Sequence, residues 1–347
     1  MSKFSDRTLL KKKTQLLKTI STGKQDARYI CSYFKCEFDL KSYEKVYNQI
    51  NYLNKNNEML FSGPLPKSYT TIRTVDPLLY SESFKTEFEW CIFTIIQFKQ
   101  LVFDFLAKKQ SFEHAFLIGD YSTALSVLED INNKIGYSLW AVECNFLVSE
   151  FQGGITKNLS YLTELSKEEA NLHLLILAQL YSRKSEKNIT IAKFNEFFND
   201  ILEDVPSSAK NYFNFKFNTK TVVTEDLKYI LQVESCSSII DKYLSLMMVA
   251  KSCIMQNLEE SPLVVKHLTK FFADFPDENI SSILNIHNLR NGTQVFNVSQ
   301  NKSNDLVDCV ELYAVRIPTK SAAYSDASRP AVPVDVGRVF RLKSATP

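Results

Sequence analysis

The sequence predicts a mainly α-helical protein, and three observations carry that prediction. The chain has 347 residues, 45% of them apolar and 23% charged, which is enough to bury a large core and excludes disordered and disulfide-stapled classes. It contains 8 glycines, where ordinary usage of about 7% gives roughly 24. Phosphate-cradling loops, nucleophile elbows and multi-turn β architectures all need glycine at positive φ or at close backbone approaches. Finally, apolar residues recur at helical spacing along most of the chain. More than half of the residues are therefore expected in helices, with any sheet confined to a hairpin near 59–75 and to the tail.

Taken in order, Leu9, Leu10, Leu16, Leu17 and Ile20 with the Lys11–Lys13 run describe an amphipathic helix with a basic outer face. Asp26 caps a second, with Ala27, Ile30, Cys31 and Phe34 inward; Asp39 caps a third, with Tyr43, Val46, Tyr47, Ile50 and Leu53 inward. The β-prone runs Met59–Ser62 and Tyr69–Val75 flank a Gly-Pro-Leu-Pro loop, as in a hairpin. Residues 1–75 hold 14 Lys and Arg against 6 Asp and Glu, a net +8, whereas the remainder holds 27 against 33, a net −6. A basic module of 1–75, a linker of 76–87, an α-helical domain of 88–315 and an irregular tail of 316–347 follow from these changes in composition.

Three helices and a hairpin in that order resemble a winged helix-turn-helix domain over 26–75. The resemblance implies that the third helix faces DNA through Lys41, Lys45, Asn48 and Lys55, with Lys67 and Arg73 on the wing. Glu44 interrupts that face, and no arginine stands on it. The alternative is a basic three-helix cap whose lysines are simply solvated.

An internal period of 34 residues relates Gly119 to Gly153, Ala124 to Asn158 and Ala192, and Leu128 to Leu162. The run Gly119-Asp120-Tyr121-Ser122-Thr123-Ala124-Leu125 resembles the start of the second helix of a tetratricopeptide repeat, and the resemblance spans about 105–206. It implies helical hairpins in which Gly119 and Gly153 permit the turns while Ala124 and Ala192 allow close helix approach. Asn158 stands in place of the second alanine and Lys187 in place of the third glycine. A non-repeating α-bundle is the alternative. Leu172–Tyr181, Ile189–Leu202 and Ser237–Leu258 continue the helical period, broken at Pro206 and Pro262.

No Walker loop, dinucleotide fingerprint, kinase set or Gly-x-Ser-x-Gly elbow occurs, so no enzyme and no cofactor is expected. His114, His173, His267 and His287 lack the spacing of a metal site, and His173 is expected as a core histidine. The seven cysteines form no Cys-x-x-Cys pair and read as reduced thiols of a cytoplasmic protein. The most apolar segment, Cys91–Leu106, is broken by Gln97, Lys99, Gln100 and Asp104, which suits a buried helix and not a membrane span. Four of the nine arginines and four of the ten prolines fall in 316–347. That stretch reads as an unstructured tail, or as a sign that the native chain is longer.

Two functions fit these observations. The first is a non-enzymatic helical-repeat protein that binds a protein or peptide partner as scaffold or sensor. The alternative is a DNA-binding transcriptional regulator with a winged-helix N-terminus and ligand-sensing repeats.

Overall fold

The structure, a computed structural model, describes residues 11–12, 14–15, 18, 33–38, 40–53, 65–72, 81, 83–168, 172–203, 205–217, 224–234 and 237–290. Of these, 84% are helical and none forms a strand, as the glycine deficit requires. The helices are α1 (Leu40–Leu53), α2 (Phe84–Gln97), α3 (Lys99–Leu117), α4 (Tyr121–Lys134), α5 (Leu139–Lys167) and α6 (Leu172–Ser185), followed by α7 (Ile191–Ile201), α8 (Ser207–Phe217), α9 (Thr224–Glu234), α10 (Ile239–Met255), α11 (Ser261–Asp274) and α12 (Glu278–Arg290).

Five of these helices begin on a side chain that satisfies an orphan backbone N–H. The Oγ of Ser83 accepts from Thr86 N at the start of α2, and Asp120 accepts from Thr123 N at the start of α4. Ser138, Thr190 and Ser238 do the same for α5, α7 and α10. Pro262 sits in the first turn of α11, where its missing N–H has no cost.

Helices α3 and α4 form a hairpin closed by Gly119 at φ +80°, with Lys108 reaching across it to Asp130. Ala124 is fully buried among Phe112, Ala115, Phe116 and Leu128, as the repeat pattern predicts. The second hairpin lies within α5. Gly154 adopts φ 66°, ψ −162°, and the rings of Phe146 and Tyr161 meet at 4.7 Å, which two residues so far apart in a straight helix never do. The arms 139–153 and 155–167 therefore fold back on each other at Gly154, not at Gly153, which remains helical. Helices α6 and α7 form the third hairpin, and here the expectation for Ala192 is overturned. Its methyl is exposed, and Phe194 and Phe198 turn inward instead. The buried face has drifted two residues from the 34-residue spacing, so Ala192 matches the period without occupying the contact.

The expected hairpin near 59–75 also needs correction. Tyr69–Thr71 is a turn of 3-10 helix, while 59–64 and 73–75 lie outside the described residues. Lys67 N and Ser68 N both donate to Thr71 Oγ1, a local alternative to a strand ladder. Tyr69 and Ile72 are buried in the main core, and Tyr69 Oη donates to the Leu174 carbonyl at 2.8 Å. This segment crosses Gly136 so closely that a Cβ there would lie 2.8 Å from the Pro66 oxygen.

Helix α2 starts inside the span expected to be a linker, and it serves two cores. Phe88, Ile92 and Ile95 enter the main core, while Trp90 and Phe93 complete a second cluster with Phe34, Phe38, Tyr43 and Val46. Its buried Glu87 pairs with buried Lys35. Two residues on, Glu89 Oε1 lies 3.2 Å from His267 Nε2 of α11. Beyond Phe98 the chain bends by 81° into α3, so the most apolar stretch of the sequence is divided between the end of one helix and the start of another, which buries one side only. No single helix among the described residues is long and apolar enough to cross a membrane.

Helix α10 is the hub. It packs against α2, α3, α5, α9, α11 and α12, and Ile239, Ile240, Tyr243, Leu246, Val249, Ala250 and Cys253 are all buried. The hairpin series is thereby closed on a central helix. In an open array each unit touches only its neighbours.

Two predictions follow from this packing. Replacing Ala124 by Phe forces an extra ring into the α3–α4 contact and should lower unfolding stability by about 1–3 kcal/mol in urea titration. Burial, together with Lys85, Lys266 and Lys270, depresses the His267 imidazole to about 4 from its ordinary 6.5, so it is neutral in the folded state. The unfolded chain takes up a proton below pH 6.5 that the folded chain refuses. Stability is thus complete above 6.5 and should decline by on the order of 2 kcal/mol between pH 6.5 and 4. His267→Gln keeps a donor for Glu89 and should remove that part of the slope; an unchanged slope would refute the assignment.

Candidate interaction surface

Of the residues expected to face DNA, the structure describes the side chains of Lys45, Asn48 and Lys67. Lys45 and Asn48 stand on the exposed side of α1, whose opposite side packs on α2 through Tyr43 and Val46. Glu44, on the same exposed side, is also solvated. The side chain of Lys41, and Lys55 and Arg73 entirely, lie outside the described residues. Lys67 is exposed, but on the segment seated against Gly136 and Leu174, a different support from that of α1.

Ionisable groups inside the fold are tied to one another. Lys216 Nζ lies 2.8 Å from Glu234 Oε1 and 2.7 Å from Ser245 Oγ, and Tyr212 Oη donates to the same Glu234 oxygen at 2.7 Å. The ring of His173, half-buried, lies 5.2 and 5.0 Å from those of Tyr212 and Phe213. Buried Glu150 accepts from Asn158 Nδ2 and from Lys187 N, while Ser182 Oγ donates to Asn158 Oδ1 at 2.6 Å. Asn158, in the alanine position of the second hairpin, thus joins the two arms of α5 to α6. Sequence reasoning named His173, Asn158 and Lys187 but missed the pairing of Lys216, Glu234 and Tyr212 and the bonds that hold Glu150. Their one visible signal is a charge set inside an apolar run, as at Glu87, Glu89, Lys216 and Asp241.

Burial pushes the thiol of Cys91 up to about 12 and that of Cys253 up to about 11, so neither is a nucleophile at neutral pH. Cys144, fully buried, is raised further by the same cause. A cleft of about 310 Å³ opens between α1, α2 and α11 over Ile92, Phe93 and Phe271, with Lys99, Lys270 and Asp274 at its mouth. His267 lines it, and its Nε2 is engaged by Glu89. Among the described residues no three His, Cys, Asp or Glu side chains converge as a metal site would require.

The surface feature that stands apart is the edge formed by the three hairpin turns. The ring of Phe116 beside the first turn meets that of Phe151 beside the second at 5.2 Å, and Tyr121 flanks both. Lys187, in the third turn, places its ammonium 4.9 Å from the centre of the Phe151 ring. These contacts align the turns in one row. Along it Ile118 is 66% exposed, Ile155 45%, Leu159 48% and Ile191 40%, with Leu117 at 36% and the Ala192 methyl exposed beside them. Residues expected to be packing elements, Gly119, Gly153 and Ala192, lie on this edge, whereas Ala124 lies beneath it.

The chain matches no protein-family model, no curated protein and no solved structure.

Proposed function

We propose that this is a non-enzymatic helical-hairpin protein that holds a protein or peptide partner on the edge formed by its three hairpin turns. In this reading the hairpins act as tetratricopeptide-like units, and the partner binds on their turns. The observation that carries it is the row Leu117, Ile118, Ile155, Leu159 and Ile191, large apolar side chains left in water by three separate turns that abut one another. Scattered exposed leucines are ordinary, but contiguous apolar surface rimmed by polar groups is characteristic of interaction sites. Rigid backing by the Phe112, Phe116 and Leu128 cluster suits such a role, because a preorganised surface loses little conformational freedom on binding. A photo-crosslinking phenylalanine derivative at position 155, in cells that naturally make the chain, should give discrete adducts of higher mass. The same group at exposed Thr269 of α11 should not. Equal labelling at both positions, or none at 155, would refute the reading.

A second reading, nucleic-acid binding by the basic N-terminal region, is favoured by the exposure of Lys45 and Asn48 along one side of α1. Affinity of the full chain for a DNA duplex should then fall steeply between low and physiological salt. Lys45→Ala should weaken binding on all sequences, and Asn48→Ala should alter sequence preference. Absence of binding at low salt would remove this reading.

A further inference from the structure

We propose that the partner seated on the hairpin edge is an acidic amphipathic helix. Its apolar stripe would pack on Ile155, Leu159 and Ile191, and its carboxylates would meet Lys157, Lys187 and Lys193. This inference rests on the edge being an interaction surface and adds the chemistry of what lies there.

Charge supplies the argument. The three turn segments 117–121, 152–159 and 187–193 contain Lys157, Lys187 and Lys193, all exposed, against one acidic residue, Asp120. Asp120 is already engaged: its Oδ1 accepts from Thr123 N at 3.1 Å and from Ser122 Oγ at 2.8 Å, which also holds its carboxyl below the usual range. The carboxylates nearest the third turn are likewise occupied. Glu186 is paired with Arg183 at 2.6 Å, and Glu150 is buried on Asn158 and Lys187 N. Exposed Glu164 lies beyond Leu159 on the second arm of α5, and exposed Glu196 stands one turn beyond Lys193 in α7, so the rim lysines outnumber the carboxylates near them. The edge therefore presents a cationic rim in a part of the chain, residues 76–347, whose net charge is −6.

The apolar geometry selects a helix as occupant. Ile155 and Leu159 are four residues apart on one arm of α5, so their side chains form a ridge one turn long. Such a ridge fits between the i, i+4 rows of a second helix laid across it. A bare polyanion would find Ile118, Ile155 and Leu159 where it needs donors. Lys187 Nζ meets the Phe151 ring and carbonyl and Lys157 Nζ donates to Gln152 Oε1, all uncharged groups, so an apolar helix without carboxylates would bring these ammonium groups no opposite charge, and complementary charge sets specificity and encounter rate more than raw affinity.

The test is selection of peptides about 16 residues long from a random displayed library. The full chain and its Ile155→Asp/Leu159→Asp variant are panned in parallel, after both are found to have the same circular dichroism and melting temperature. Peptides enriched on the native chain and lost on the variant should be net negative, with apolar residues at i, i+4 and i+7. Their synthetic versions should bind Lys157→Glu/Lys187→Glu at least about tenfold more weakly, and should weaken as salt rises. Edge-dependent peptides that are neutral or basic would overturn the acidic helix while leaving the edge as a binding surface. Absence of any peptide sensitive to the double aspartate change would overturn both readings.

Discussion

One buried carboxylate determines how the two halves of this chain meet. Asp241, in the first turn of α10, is 2% exposed and accepts from Leu139 N at 2.8 Å, from Trp140 N at 3.2 Å and from Ser238 Oγ at 2.8 Å. Burial raises its pKa, which alone would favour the neutral acid; Lys216 and the N–H groups at the start of α5 oppose that. A charge that costs so much to desolvate is tolerable only where its partners are fixed. The start of α5 is consequently fixed to the start of α10, across a hundred residues of chain. Once these two ends are joined, α10 lies against helices from both halves, and the hairpins α3–α7 cannot extend as an open stack.

The remaining buried polar groups follow from that closure. Lys216 of α8 approaches Glu234 of α9 and Ser245 of α10, and Tyr212 shares the same glutamate. Lys35 and Glu87 tie the segment before α1 to α2, and His267 and Glu89 tie α2 to α11. Each pair offers little net stabilisation over a well-packed apolar pair, yet removing one member strands a charge in the core. Their effect is on geometry: a helix displaced by one turn would leave several of these groups unmatched at once. Apolar surfaces alone, which are nearly indifferent to sliding, would not discriminate so sharply.

This division explains what could be read in the sequence. Helical class is a property of local composition, and the α3–α4 hairpin is written in consecutive residues, Gly119-Asp120-Tyr121 followed by Ala124, so both were legible. In the third hairpin the helical period of Ile189–Leu202 already marks Phe194 and Phe198, which are buried, whereas Ala192, taken from the 34-residue spacing, keeps only the number and is exposed. Tyr69 and Ile72 have strand-forming side chains, yet a single bond to the Leu174 carbonyl and a place in the main core outweigh that preference. Of the edge, sequence reasoning named Gly119, Gly153 and Ala192 as packing elements. The apolar residues between them look like core positions, and among the described residues no helix covers them.

The drift that spoils the third repeat also builds the edge. Had α7 kept the 34-residue phase, Ala192 would lie against α6. With the phase shifted, Ile191 and Ala192 come to the surface at the turn, in line with Ile155 and, through the Phe116–Phe151 contact, with Ile118. Folding alone gives no reason to leave so many large apolar side chains partly in water, since burying what each still exposes would stabilise the chain by about 1 kcal/mol. Nor is the row a loose end of the structure. It is backed by Phe112, Phe116 and Ala124 and braced by Lys187 on the Phe151 ring. It is on this surface, apolar along its crest, that the proposed partner would sit.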